Sequence, residues 1–182
     1  KLFCGYNPLT ELDVSRNTKL TELLCHENQL TALDLTHNTA LATVYCPNNR
    51  LTALDLSKNT ALATLACSRN QLTALDLSQN TAITELYCNN NQLAALDLSR
   101  NTALTELYCN GNRLTTLDLS RNTELTKIYC DDNPLTELNI SNLSKIEEIV
   151  FGDNPEINVI ANSQTVVSDE VRHYMDGKRK TP

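Results

Sequence analysis

The sequence of 182 residues contains no Trp and only 4 Gly, and aromatic residues make up 4 % of it. No apolar run approaches the length of about 18 residues that spans a bilayer, so we expect no membrane insertion. Basic residues are also scarce, since 15 Lys and Arg face 22 Asp and Glu and give a net charge of −7. That balance argues against a nucleic-acid partner. A hydrophobic content of 41 % still permits a buried core, and a core with so few aromatic residues indicates a repetitive architecture.

Cysteine and asparagine reveal the repeat. The cysteines recur every 21 residues, at Cys4, Cys25, Cys46, Cys67, Cys88, Cys109 and Cys130. One series of asparagines keeps the same interval at Asn7, Asn28, Asn49, Asn70, Asn91, Asn112, Asn133 and Asn154. A second series comprises Asn17, Asn38, Asn59, Asn80, Asn101 and Asn122. In a repeat protein each unit buries its apolar face against its neighbours, so stacked copies form one continuous core.

Each unit contains two short apolar–polar–apolar triplets. In residues 83–103 they are Leu86-Tyr87-Cys88 and Leu96-Asp97-Leu98. Alternation over three residues is typical of a short strand with its outer residues facing inward. The pattern therefore predicts a mainly β solenoid with two parallel strand arms per coil, in about eight coils stacked about 4.8 Å apart. Because both sides of the coil are strand-like, we expect weak curvature.

The 21-residue unit LxxLxCxxNxLTxLDLSxNTx resembles the nested leucine-rich repeats of bacterial surface and secreted proteins, with Cys in the third inward position of the strand segment. The resemblance implies a solenoid over residues 1–161, which starts within a repeat and ends in a degenerate coil. Residues 162–182 are then a C-terminal cap or tail. The resemblance also implies a non-enzymatic protein-binding module that is secreted or attached to the cell surface.

The cysteine column is predicted to be structural. Seven thiols cannot all pair within one chain, and stacked Cα–Cβ bonds do not converge as a disulfide requires. A linear row also fails to surround a zinc ion with four ligands. We therefore expect buried, reduced thiols, with a metal or redox role as the alternative. The asparagine columns are predicted to hydrogen-bond the backbone of the turns.

An acidic column lies in the second arm, at Asp13, Asp34, Asp55, Asp76, Asp97 and Asp118. Stacked carboxylates repel one another unless donors or cations compensate them. The column that follows offers counter-charge at Arg16, His37, Lys58, Arg100 and Arg121, interrupted by Gln79. We expect a solvated, partly paired stripe. A calcium ladder is the alternative, although one carboxylate per coil supplies few of the oxygens that calcium needs.

The outward residue before each cysteine varies, in the order Phe3, Leu24, Tyr45, Ala66, Tyr87, Tyr108, Tyr129 and, before Phe151, Val150. The tyrosines of three consecutive coils are predicted to stack. The same face carries charges two residues earlier. Tyrosine is enriched in interface hot spots, so we predict that this face binds a protein or, as an alternative, a glycan. The predicted binding residues are Tyr45, Tyr87, Tyr108, Tyr129, Glu85, Glu106 and Lys127. An aromatic ladder that only stabilises the sheet is the other interpretation.

No converging group of catalytic residues is visible. The three histidines, His26, His37 and His173, lie in different columns or outside the repeat, and no phosphate-binding loop occurs. We therefore predict no enzyme activity, no cofactor and no metal site. Two alternatives to a binding module remain: a structural spacer without a specific partner, and the substrate-recognition segment of a larger effector. The sequence indicates neither the partner's identity nor an oligomeric state.

Overall fold

The computed structural model describes residues 1–152 and 157–161, and this part of the chain contains short β-strands and no helix. The strands are β1 (Leu2–Phe3), β2 (Glu22–Leu24), β3 (Thr43–Tyr45), β4 (Thr64–Ala66), β5 (Glu85–Tyr87), β6 (Glu106–Tyr108), β7 (Lys127–Tyr129), β8 (Glu137–Asn139), β9 (Glu148–Val150) and β10 (Asn158–Ile160). The predicted cap or tail at 162–182 lies outside the described residues.

The main sheet contains eight parallel strands in the order β1-β2-β3-β4-β5-β6-β7-β9. Each strand pairs with its counterpart one coil later, so that Tyr87 lies beside Tyr108 and Tyr108 beside Tyr129. Strands β8 and β10 form a separate parallel pair. This arrangement confirms the predicted leucine- and cysteine-lined β-solenoid. The repeat of 21 residues also places inward residues of the same type next to one another in successive cysteine-bearing coils.

The core consists of the inward residues of every coil. In β5, for example, Leu86 is fully buried, and Cys88 directly after the strand is fully buried as well. Leu96 and Leu98 of the second arm close the opposite side at 7 % and 1 % exposure. Burial of a leucine side chain stabilises the fold by about 1.5–3 kcal/mol. Because each coil repeats these contacts, the core runs continuously through the stack.

The second arm differs from the prediction in how neighbouring coils are joined. Its alternation is present, yet strands form on this side only between β8 and β10 in the described part of the chain. In earlier coils a side-chain amide takes the place of a strand hydrogen bond. Asn101 Nδ2 donates to the carbonyl of Leu77 at 3.2 Å and to that of Asn80 at 2.9 Å. Weak curvature stays a prediction, and its premise of two strand arms per coil holds only for the coils joined by β8 and β10.

In each of the seven coils that contain a cysteine, a left-handed turn residue lies two positions after that cysteine. These residues are Tyr6, Glu27, Asn48, Arg69, Asn90, Gly111 and Asp132, with φ between 52° and 64°. Left-handed backbone is costly for residues other than Gly, and less so for Asn and Asp. The turn is therefore imposed by the coil geometry, which the fully packed inward positions on either side maintain.

Within residues 1–152 and 157–161, no helix has the length and apolar content needed to cross a membrane.

Candidate partner-binding face

Three tyrosines form a stack on the outward side of the main sheet, which we call the strand face. Tyr87, Tyr108 and Tyr129 end strands β5, β6 and β7. The ring centroids of Tyr87 and Tyr108 are 4.8 Å apart with an interplanar angle of 28°. Those of Tyr108 and Tyr129 are 4.5 Å apart at 9°. The in-register pairing of the strands accounts for this geometry, because it brings the rings to the spacing of the coils. We call these three residues the tyrosine stack.

Tyr45 does not join the stack. Ala66 lies beside Tyr45 in the sheet and separates it from Tyr87. The ring of Tyr45 instead lies edge-on to His26 at 5.1 Å, and His26 contacts the ring of Tyr6 at 4.8 Å in the same manner. This cluster of three rings was not predicted from the sequence.

The sequence feature that could have indicated this ring cluster is the glycine at position 5. A Cβ atom at Gly5 would lie 2.4 Å from the ring of His26, so only glycine leaves room for the imidazole. His26 occupies the equivalent position one coil later, directly after Cys25. A glycine in one coil beside a bulky ring in the next therefore indicates a close approach of that ring to the backbone.

Glutamate side chains accept hydrogen bonds from two of the three tyrosine hydroxyls. Glu106 accepts a hydrogen bond from Lys127 Nζ at 2.9 Å and another from the hydroxyl of Tyr87 at 2.9 Å. The hydrogen bond from Lys127, together with that from Tyr87, lowers the pKa of Glu106. The hydroxyl of Tyr129 donates to Glu148, which raises the pKa of Tyr129 to about 12. Burial is the main cause of the raised pKa of Tyr87. The phenols therefore stay neutral donors at physiological pH.

The break in the aromatic row forms a cleft of about 520 Å³ between Tyr45 and Tyr87. Ala66 lies at its floor, and Glu85 and Arg69 lie on its rim. The predicted binding residues thus fall into two groups. Glu106 and Lys127 accompany the tyrosine stack, whereas Tyr45 and Glu85 line this cleft, which we call the Ala66 cleft. Tyr87 belongs to both groups.

The cysteine column has the predicted structural character. All seven cysteines are free thiols; Cys4 is partly exposed and the other six are buried. Burial raises the pKa of Cys25, Cys88 and Cys130 to about 12. Because the thiolate is the nucleophile and the metal ligand, burial that keeps these thiols protonated disfavours both roles in the folded protein. No group of three or more His, Cys, Asp or Glu side chains within the described ranges could hold a metal ion.

The two asparagine ladders bond the backbone as predicted in the described coils, whereas Asn154 lies outside the described residues. Asn91 Nδ2 donates to the carbonyls of Cys67 at 3.1 Å and Cys88 at 3.0 Å, and its Oδ1 accepts from the N–H of Leu72 at 3.0 Å. One side chain thus satisfies three backbone groups in two coils. The second ladder donates in the same way, although the Oδ1 atom of Asn80 is buried without a partner.

The acidic column is paired differently from the prediction. Each carboxylate accepts the backbone N–H of the Ser or Thr two residues later, as Asp97 does from Ser99 at 2.9 Å. This bond lowers the pKa of Asp97. The salt bridges in residues 1–152 and 157–161 involve none of these aspartates. The basic column is therefore not the main partner of the carboxylates. The turn itself supplies the donors, because an Asp side chain readily caps the backbone two residues on.

Known structures share this coil arrangement. The functional domain of InlJ from Listeria monocytogenes, which includes a cysteine ladder, has 39 % sequence identity and a TM-score of 0.88. The match covers 90 % of this chain and 37 % of that chain. The chain belongs to the leucine-rich-repeat family. A family model described as Leucine Rich repeats (2 copies) also matches residues 81–122. No curated protein matches the sequence at a significant level.

Two further leucine-rich-repeat structures are similar to this chain. YopM, a leucine-rich effector protein from Yersinia pestis, has 27 % identity and a TM-score of 0.71, with coverage of 85 % of this chain and 43 % of that one. An internalin, InlF, from Listeria monocytogenes has 19 % identity and a TM-score of 0.74 and shows the fold alone. That match covers 88 % of this chain and 51 % of the internalin. The chain therefore spans about a third to a half of the length of these solved proteins.

Proposed function

We propose that this leucine-rich-repeat chain is a non-enzymatic module that binds a protein partner through the tyrosine stack. The observation that carries the proposal is the stack itself, in which Tyr87, Tyr108 and Tyr129 present three adjoining, half-exposed rings. Tyrosine side chains supply a large contact area at a low entropy cost and are enriched at binding hot spots. The resemblance to bacterial surface and secreted repeats extends the proposal to a secreted or surface-attached location.

The charged residues beside the rings support a specific interface. Glu106 is fixed by Lys127 and Tyr87, so the face presents an ordered set of donors and acceptors next to an apolar centre. An aromatic centre with a polar rim is the usual anatomy of a protein interface. A ladder that only stabilised the sheet would need the rings alone. The alternatives are a spacer without a partner and a glycan-binding face.

A crosslinking capture experiment tests the proposal. The wild-type chain, immobilised through a tag, is crosslinked to proteins of a cell-surface extract and compared with a Tyr87→Ala, Tyr108→Ala, Tyr129→Ala triple variant. The matched control is a Thr52→Ala, Thr73→Ala, Thr115→Ala triple variant, in which the three side chains are exposed but lie away from the sheet. Circular dichroism first establishes that both variants keep the β spectrum of the wild type.

The expected result is one defined partner that wild type and the threonine variant capture and the tyrosine variant loses. Equal capture by all three chains would exclude the tyrosine stack as the site. If no protein is specifically captured, but wild type binds a glycan array and the tyrosine variant does not, the ligand would be a saccharide instead of a protein. Absence of both would favour the spacer.

A further inference from the structure

The row of aromatic side chains on the strand face lacks one ring. Tyr45 pairs in register with Ala66, and Ala66 pairs with Tyr87. Two coil spacings, about 9.6 Å, therefore separate the positions of the two tyrosines. The neighbouring tyrosine stack shows that one ring takes up 4.5 to 4.8 Å along the coil axis. By strand spacing, the row therefore lacks one ring between the two tyrosines, above an Ala66 side chain that its neighbours already cover.

The flanking tyrosines make their ring contacts away from the gap. Tyr87 stacks on Tyr108, and Tyr45 lies against His26. Within the described part of the chain, no ring contact joins Tyr45 to Tyr87. Both tyrosines line the Ala66 cleft of about 520 Å³. A planar group in this cleft would gain stacking contacts on two sides, which aliphatic side chains provide less well.

The rim of the cleft carries charges of both signs. Arg69 lies in the turn after β4 and is exposed, whereas Glu85 begins β5 and is half-buried. Ala66 is 2 % exposed, so flanking side chains close the floor and the space lies above it. A carboxylate accepts the proton of a phenol, and a guanidinium stacks on an aromatic ring or binds a backbone carbonyl. The cleft therefore complements an aromatic residue within a peptide segment.

We infer that the Ala66 cleft receives one aromatic side chain, a tyrosine, from the protein partner. The inference rests on the proposed function and specifies the residue type that the strand face recognises. The incoming ring lies above the covered Ala66 and against Tyr45 and Tyr87, and its hydroxyl is directed to the Glu85 end of the cleft. The stack and the cleft then form one continuous surface, with Tyr87 shared between them.

Titration with amino-acid amides, followed by two-dimensional NMR of the isotope-labelled chain, tests the inference. The probe is N-acetyl-L-tyrosine amide, with N-acetyl-L-leucine amide and methyl β-D-glucoside as comparisons. We expect shift changes centred on Ala66 and Tyr87. We also expect the tyrosine probe to bind at least about tenfold more tightly than the leucine probe, as for a hot-spot contact.

Two variants with the same substitution separate cleft filling from a general surface effect. Ala66→Tyr places a ring in the gap and should abolish the shift changes. Ala74→Tyr adds the same ring at an exposed position away from the sheet and should leave them unchanged. The spectra themselves report whether each variant folds. Ala66→Leu, a smaller filling substitution, replaces Ala66→Tyr if that variant does not fold.

Equal binding of the leucine and tyrosine probes, preferential binding of the glucoside, or binding that Ala66→Tyr retains would each overturn the inference. The capture experiment distinguishes this failure from that of the proposed function. If the triple tyrosine variant loses the partner but folded Ala66→Tyr still captures it, the proposed function stands and the inference about the Ala66 cleft is wrong. If the tyrosine probe binds wild type and not Ala66→Tyr, and no partner is captured, the cleft is supported and the proposed protein partner is not.

Discussion

The side-chain amide of Asn91 donates to the carbonyl oxygen of Cys67 at 3.1 Å and so joins one coil to the coil before it. The same amide bonds Cys88, and the side-chain oxygen accepts the N–H of Leu72. Asparagine at this position thus substitutes for a regular secondary-structure hydrogen bond at each turn. A buried backbone group without a partner costs about 1–3 kcal/mol, which makes the ladder a main determinant of coil stacking.

We predict that Asn91→Ala lowers the free energy of unfolding by about 3–5 kcal/mol, because three buried backbone groups lose their partner. Asn80→Ala should cost less, about 1–3 kcal/mol. Asn80 also donates to two backbone carbonyls, but its Oδ1 atom accepts no backbone N–H, whereas that of Asn91 does. Urea denaturation measures both values, and Gln79→Ala at an exposed position serves as the control. Equal losses for Asn91→Ala and Asn80→Ala would contradict this account of the two ladders.

Alkaline pH should destabilise the fold through the buried thiols. Burial raises the pKa of Cys88 from the ordinary 9.0 to about 12. Between these values the unfolded chain has lost the thiol proton that the folded chain keeps. The free energy of unfolding therefore falls as pH rises through this window, by about 1.4 kcal/mol per pH unit for each such thiol, and is unaffected by this group below pH 9.

We expect Cys88→Ala to reduce that slope by the contribution of one thiol. Urea midpoints at pH 9.0, 9.3 and 9.6 under reducing conditions give the slope for each chain, because the six buried thiols together would remove most of the stability at higher pH. Cys4→Ala is the matched control, because Cys4 is only partly buried and should change the slope less. Identical slopes for Cys88→Ala and the wild type would show that this thiol ionises as readily in the fold as outside it.

The tyrosine stack should contribute to stability as well as to binding. Tyr108 stacks on a ring at each side, and each aromatic pair is worth about 0.5–1.5 kcal/mol beyond its buried area. We predict that Tyr108→Ala costs about 1–3 kcal/mol in urea denaturation, whereas Tyr108→Phe, which keeps the ring, changes stability by less than about 0.5 kcal/mol. A loss of similar size in Tyr108→Phe would mean that the hydroxyl rather than the ring stabilises this face.

Much of the architecture could be predicted from the sequence because the repeat fixes equivalent positions. Because Cys67 and Cys88 face inward, the residue directly before each of them faces outward. The same holds for the equivalent residue in the next coil. The stacking of Tyr108 on Tyr129 follows from the same register. In physical terms, parallel strands with a constant repeat length cannot shift relative to one another without exposing the core.

The features that could not be predicted depend on contacts that the 21-residue repeat pattern does not specify. Leu96 and Leu98 alternate like strand residues, but no strand forms there. The side-chain amide of Asn101 instead donates to the carbonyl of Leu77 in the second arm of the preceding coil. The position of Tyr45 followed from the absence of a neighbouring ring at residue 66 and from the space that Gly5 leaves for His26. The left-handed turn carried a readable signal, since Asn48, Asn90 and Gly111 occupy it in three coils.

Photocrosslinking from a defined position tests the central claim, that the strand face contacts a protein partner. A benzoylphenylalanine at position 150, beside Tyr129 in the sheet, is compared with one at position 115, which lies away from the sheet. We predict one defined crosslinked protein from position 150 and none from position 115, with the product lost in the triple tyrosine variant. Crosslinking from position 115 alone, or equally from both positions in the variant, would contradict the account.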